Sequence, residues 1–101
     1  MKVTPDSLGI TPENIIYWGL HLDDDVPLSK QTEALKEDLA QIKCPHEHLL
    51  DIGWYPSYSP EGFFGIVVAK TNNWGSPVYR KKAHCIETLR DAVRDAMKVA
   101  S

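Results

Sequence analysis

The sequence lacks a long apolar run, has only two cysteines, and shows no strong excess of either charge. Without about 20 consecutive apolar residues it holds no membrane span, and no membrane association is expected. The opening MKVTPDSLGITPEN has no apolar core of the signal-peptide kind, so the expected location is the cytoplasm. In that reducing compartment Cys44 and Cys85 are expected as free thiols. A net charge of −3 gives no general pull toward nucleic acid or anionic membrane. Glycine-rich phosphate loops, nucleophile elbows and zinc-protease motifs are also missing. No catalytic residue and no cofactor is therefore assigned.

What is present suits one globular domain over residues 1–101, with residues 1–13 as an irregular lead-in. Apolar residues make up 43% and charged residues 25%, the ordinary balance for a chain with a core. Thr11-Pro12-Glu13 marks a short helical turn. Alternation of Ile16, Trp18, Leu20 and Leu22 with Tyr17, Gly19 and His21 predicts a strand over residues 15–22. Asp23-Asp24-Asp25 and Pro27 break it. Leu35, Leu39 and Ile42, with Ser29 as cap, predict a helix over residues 29–43.

Three strands should follow as a meander: residues 49–55, 63–70 and 78–82, the last with Arg80-Lys81-Lys82 as an edge strand. Ile86, Leu89, Val93, Met97 and Ala100 predict a closing helix over residues 86–99, with Cys85 at its N-cap. The expected fold class is α+β: a two-layer sandwich of a three-strand antiparallel meander plus an N-terminal strand. Two helices would cover one face, in the order β-α-β-β-β-α.

Seven of the nine aromatic residues lie between Trp54 and Tyr79. Pairing Tyr55 with Phe63 sets Trp54 opposite Phe64, Ile52 opposite Ile66 and Leu50 opposite Val68 on one bulky face. The other face then pairs Gly53 with Gly65, Asp51 with Val67 and Leu49 with Ala69. Two facing glycines beside Tyr55 and Phe63 permit either strong twist or the close approach of a second subunit or a flat ligand. The candidate interface or ligand surface is Gly53, Tyr55, Phe63, Gly65 and Val67, with Tyr58 and Trp74 as anchors at the turns.

Other groupings are weaker. Cys44-Pro45-His46-Glu47-His48, with His84-Cys85, carries ligand types that suit zinc, but its spacing is neither finger nor ribbon. It reads as a polar loop and a half-buried cysteine, so no metal site is assigned. Arg80-Lys81-Lys82 with Arg90 and Arg94 could form a basic strip. The interleaved Glu87, Asp91 and Asp95 instead read as helix ion pairs, which argues against nucleic acid as the partner.

From about Leu49 to Ala100 the chain resembles the HicB-type antitoxin domain, a partial double-stranded-RNA-binding fold. The likeness lies in LLDIGWY, the turn with Pro60-Glu61-Gly62, FFGIVVAK, the WGSP turn, a third strand and CIETLRDAVRDAM. The proline-glycine-cysteine turn typical of that family is replaced by WGSP, and no DNA-binding tail of that family is expected. The resemblance implies a small bacterial binding protein of the antitoxin or immunity kind. Short chains without catalytic signatures also look like the cargo of mobile integron cassettes. The expected function is a non-enzymatic binding module that forms a homodimer or takes a protein partner through the aromatic sheet face. A small-molecule pocket on that face and a nucleic-acid-binding module are the alternatives.

Overall fold

β-branched and aromatic residues alternate with small or polar ones through the middle of the chain. There a computed structural model, which describes residues Met1–Ser101, forms one antiparallel sheet. Its strands are β1 (Ile15–Trp18), β2 (Ala40–Cys44), β3 (His48–Tyr55), β4 (Phe63–Lys70) and β5 (Tyr79–Ala83). They lie side by side in chain order, each paired antiparallel to the next. One α-helix, α1 (Ile86–Ala100), closes the chain. The class is α+β.

Two helices and a three-strand meander with an N-terminal strand were expected; one helix and a five-strand sheet are found. The error lies in residues 29–43. That stretch holds two single 3-10 turns, Leu28–Lys30 and Thr32–Ala34, and then enters β2. Leu35, Leu39 and Ile42 are fully buried, but Ala40, Ile42 and Cys44 face the core with the period of a strand. The free edge of β3 decides between the two periods. Leu39 N–H donates to the Ile52 carbonyl (3.0 Å), while Trp54 and Tyr58 donate to the carbonyls of Lys36 (2.8 Å) and Leu35 (2.6 Å). A helix would leave the Ile52 carbonyl and the Trp54 N–H of β3 unpaired in the interior. Gln31, buried at 9% exposure, donates to the carbonyls of Asp23 and Val26, and its side-chain oxygen accepts from Asp23 N–H. It ties down the acidic turn before it.

The β2–β3 connection, where a helix was expected to end, is a tight hairpin. His46 and Glu47 both have positive φ (60° and 62°), and His48 N–H donates to the Pro45 carbonyl (3.3 Å). Paired positive φ values mark a primed turn, whose twist matches that of the flanking strands.

The β3–β4 register agrees with expectation at every pair, from Tyr55 opposite Phe63 to Leu49 opposite Ala69. Trp54 and Phe64 meet edge to face at 4.8 Å, and Trp54 Nε1–H donates to the Ser59 carbonyl (2.7 Å). The expected strand over residues 15–22 pairs with β2 only as far as Trp18. Beyond Gly19 the chain turns to the N-terminal segment, where Val3 N–H donates to the Leu22 carbonyl (2.8 Å). The lead-in therefore contributes Val3, Leu8 and Ile10 to the core.

α1 is capped, as expected, by Cys85. Thr88 Oγ1 accepts from Cys85 N–H (3.4 Å) and lies 3.3 Å from Cys85 Sγ, a capping box with cysteine in the serine position. Ile86, Leu89, Ala92, Val93, Ala96 and Ala100 form its buried stripe, and Tyr79 Oη donates to the Ala92 carbonyl (3.1 Å). The helix, the lead-in and the turns around Leu35 all cover the Leu50–Ile52–Trp54 face. No helix is long and apolar enough to cross a membrane.

Candidate functional site

The opposite face of the sheet has no helix over it. In-register pairing sets Tyr17, Gln41, Asp51, Val67 and Arg80 in one row across all five strands. The next row holds Gly53, Gly65 and Lys82, and beyond it Tyr55 stands opposite Phe63. Leu49 and Ala69 close the other end. Ala69 is fully buried yet lies outside the main core cluster, so this face has a small apolar centre of its own. Leu49, Phe63 and Val67 are half-buried, and Tyr17 (45%) and Tyr55 (37%) are exposed.

The glycine floor is filled from within the chain. A Cβ on Gly53 would collide with the Glu37 carbonyl and stand 2.7 Å from the Tyr55 hydroxyl. A Cβ on Gly65 would stand 3.1 Å from Tyr55 Cε2. Tyr55 therefore folds back over both glycines, and residues 37–38 bulge outward between the β3 contacts of Lys36 and Leu39. Two facing glycines in a sheet leave backbone bare, and an aromatic ring laid across them restores the lost packing. The room that the sequence leaves for a flat ligand is taken by Tyr55.

Charge on this face is divided. Asp38 and Asp51 line an open depression of about 350 Å³ with Tyr17, Ala40 and Gln41. Glu37 and Asp38 border a neighbouring one of about 330 Å³, with Tyr17, Lys36, Ser57 and Tyr58. Neither includes Gly53 or Gly65. Burial raises the Asp51 carboxyl above its ordinary range; the Gln41 amide, 3.4 Å away, offsets part of this and Asp38 adds to it. Burial also raises the Tyr55 phenol, helped by Asp51, Asp38 and Glu37.

On the β5 side, Lys82 Nζ sits 4.6 Å over the Phe63 ring, and Arg80 is opposite Val67. Phe63 also lies 6.3 Å from both Tyr55 and His84. Lys36 and Lys43 also lie on the β2 side, but Glu37, Asp38 and Asp51 outnumber them there. Arg80 and Lys82 hold the β5 side, with Tyr55, Phe63 and Val67 between.

Of the candidates read from the sequence, Gly53, Tyr55, Phe63, Gly65 and Val67 come together here. Tyr58, exposed and with φ of 63°, borders the acidic side from the β3–β4 connection. Trp74 sits in the β4–β5 connection at the opposite end of the strands and is not brought to the others. Tyr17, Glu37 and Asp38 were missed. Tyr17 was legible as the outward member of its alternation; Glu37 and Asp38 were concealed by the helix assigned there.

The metal-type residues do not converge. Cys44 faces the core, its thiol 3.7 Å from the Ile42 carbonyl and raised in pKa by burial. His48 Nδ1 lies 3.0 Å from the Pro45 carbonyl. The His84 ring faces Phe63, whereas the Cys85 thiol turns to Thr88, which lowers its pKa. Asp23, Asp24 and Asp25 do gather within 4.8 Å, but the Met1 amine pairs with all three and Arg90 with Asp24 (2.9 Å). The basic strip is split: Arg90 and Arg94 pair with Asp24 and Asp91, while Arg80 and Lys82 stand on the open sheet face. No family model, no curated protein and no solved structure matches this chain.

Proposed function

We propose that the chain is a non-catalytic binding module that presents the open face of its sheet to a folded protein surface. A homodimer, or a partner of the kind an antitoxin or immunity protein holds, falls within this reading. The observation that carries it is the five-strand sheet covered on one side only, with Leu49, Tyr55, Phe63 and Val67 along the middle of the other. Antiparallel sheets commonly leave one face to water, but that face is then polar; here aromatic and aliphatic side chains hold its centre. Rigid aromatics give large contact area at low entropic cost, and rings flanked by charge match the pattern of an interface core with a polar rim. The Tyr55 ring over Gly53 and Gly65 removes the pocket a flat ligand would need, which favours a broad protein surface over a small molecule.

Photo-cross-linking in cells tests this, with benzoylphenylalanine at position 63 and, as control, at Asp95 on the exposed side of α1. Protein adducts from position 63 and none from position 95 are expected. Equal adducts from both, or none from position 63, would refute the reading.

A further inference from the structure

We infer that the occupant of the open face is a second copy of this chain, related by a two-fold axis parallel to the strands. This rests on the binding role proposed for that face, and it adds the partner and the geometry.

The charges carry the argument. Every ion pair in the chain involves the N-terminal amine, the Asp23–Asp25 turn or α1. The exposed Glu37 and Asp38 at the β2 side, and Arg80 and Lys82 at the β5 side, have no ion-pair partner within the chain. They flank the same apolar strip from opposite sides. Lys36 and Lys43 stand among the β2-side charges and Asp51 beside Val67, yet acids predominate toward β2 and the bases Arg80 and Lys82 toward β5. A face with an excess of opposite sign on its two sides is complementary to itself, which an isologous interface requires.

The axis direction follows from where the signs lie. When two sheets stack face to face, the two-fold axis lies in the interface. An axis across the strands would set the acidic side of one copy on the acidic side of the other. An axis along the strands, above the β3–β4 seam, reverses the order of strands and sets β2 over β5 of the second copy. Glu37 and Asp38 then meet Lys82 and Arg80, Gln41 meets Arg80, and Tyr55 meets Phe63. Rows stay matched because the register of the sheet is continuous from β2 to β5. The Tyr55 ring already lies across Gly53 and Gly65, so the rings of the two copies, not the glycines, form the contact as the sheets pack in the aligned mode.

Charge reversal tests the geometry. One variant carries Arg80→Glu and Lys82→Glu, and another carries Glu37→Lys and Asp38→Lys. All four side chains are exposed; circular dichroism checks that each variant keeps the native fold. Light scattering coupled to size exclusion reads the mass. Wild type should be a dimer, each variant alone a monomer with at least tenfold weaker self-association, and the equimolar mixture a dimer again. Variants that both stay dimeric, or a mixture that stays monomeric, would overturn the axis along the strands. A monomeric wild type at millimolar concentration would overturn the second copy as occupant. Adducts of another mass at position 63 would then leave the open-face reading standing by itself. The neutral pair Arg80→Gln and Lys82→Gln separates repulsion from loss of attraction; it should weaken the dimer less than reversal does, and equal weakening would count against the facing acids.

Discussion

The ring of Tyr55 lies across the backbone of Gly65, so close that a Cβ there would stand 3.1 Å from Cε2. The same ring and the Glu37 carbonyl close over Gly53 on the neighbouring strand. The two glycines are therefore unequal. At Gly65 the neighbour is a side chain with room to swing outward; at Gly53 it is also a backbone carbonyl held by the β3 contacts of Lys36 and Leu39. Gly53→Ala should cost about 2–3 kcal/mol, and Gly65→Ala about 1 kcal/mol or less, because alanine regains some strand propensity. Urea unfolding measures both. Equal losses would mean that residues 37–38 do not hold their place over β3.

The two faces of the meander should respond differently to truncation and charge. Trp54→Ala, in the core against Phe64, should cost about 3–5 kcal/mol. Phe63→Asp, half-buried on the open face, should cost about 1–2 kcal/mol and leave a folded chain. Val67→Asp should behave like Phe63→Asp and abolish assembly through that face. Unfolding by Phe63→Asp would show that residue 63 belongs to the core.

The β2–β3 hairpin carries His46 and Glu47 at positive φ, where asparagine and glycine are preferred. Replacing them with Asn-Gly should raise stability by about 1 kcal/mol, since each ordinary residue in the left-handed region is held there at a cost. Unchanged or lower stability in thermal unfolding would show that another contact fixes the turn.

Acid should affect the two sides of the molecule with opposite sign. Asp51 has a folded pKa raised above 3.8 by burial, so the folded state binds its proton more tightly than the unfolded chain. That group opposes folding at neutral pH, and the penalty is relieved as pH falls through its folded pKa toward 3.8. Asp24 is lowered, first by its hydrogen bond from Arg90 and then by the Met1 amine. Its contribution is full above 3.8 and is lost as pH falls through the lower folded pKa. Asp51→Asn should therefore flatten the stability gain on the acid side of neutral, and Arg90→Ala should flatten the loss at lower pH. Carboxyl resonances followed by NMR report each titration; an Asp51 midpoint at or below 3.8 would contradict its burial.

The two thiols should differ in reactivity. Cys85 is exposed and its thiol is favoured as thiolate by Thr88 and the helix start, while Cys44 is buried and raised. A disulfide reagent should modify one thiol in the native protein and two after denaturation. Rapid modification of both in the native state would place Cys44 outside the core.

The C-terminal half was legible because its patterns point one way. Trp54, Ile52 and Leu50 alternate with Tyr55, Gly53 and Asp51; the mirrored alternation in β4, with the Pro56–Gly62 turn, sets Trp54, Ile52 and Leu50 opposite Phe64, Ile66 and Val68 on one side, and this is the pairing found. The helix period from Ile86 and the cap at Cys85 were equally unambiguous. Residues 35–44 satisfied two periods at once. Leu35, Leu39 and Ile42 fit a helix; Ala40, Ile42 and Cys44 fit a strand. Nothing local separates these, and the unpaired backbone edge of β3 chose the strand.

By itself, then, the sequence determined a two-faced sheet, its central register and the helix that closes the chain, because side-chain alternation and helix period are local properties. The tertiary structure alone decided that the sheet has five strands and that Tyr55 fills the space above Gly53 and Gly65. It alone set Glu37 and Asp38 across that strip from Arg80 and Lys82. That last relationship joins residues more than 40 positions apart, and only the hydrogen bonding of neighbouring strands brings them onto one surface.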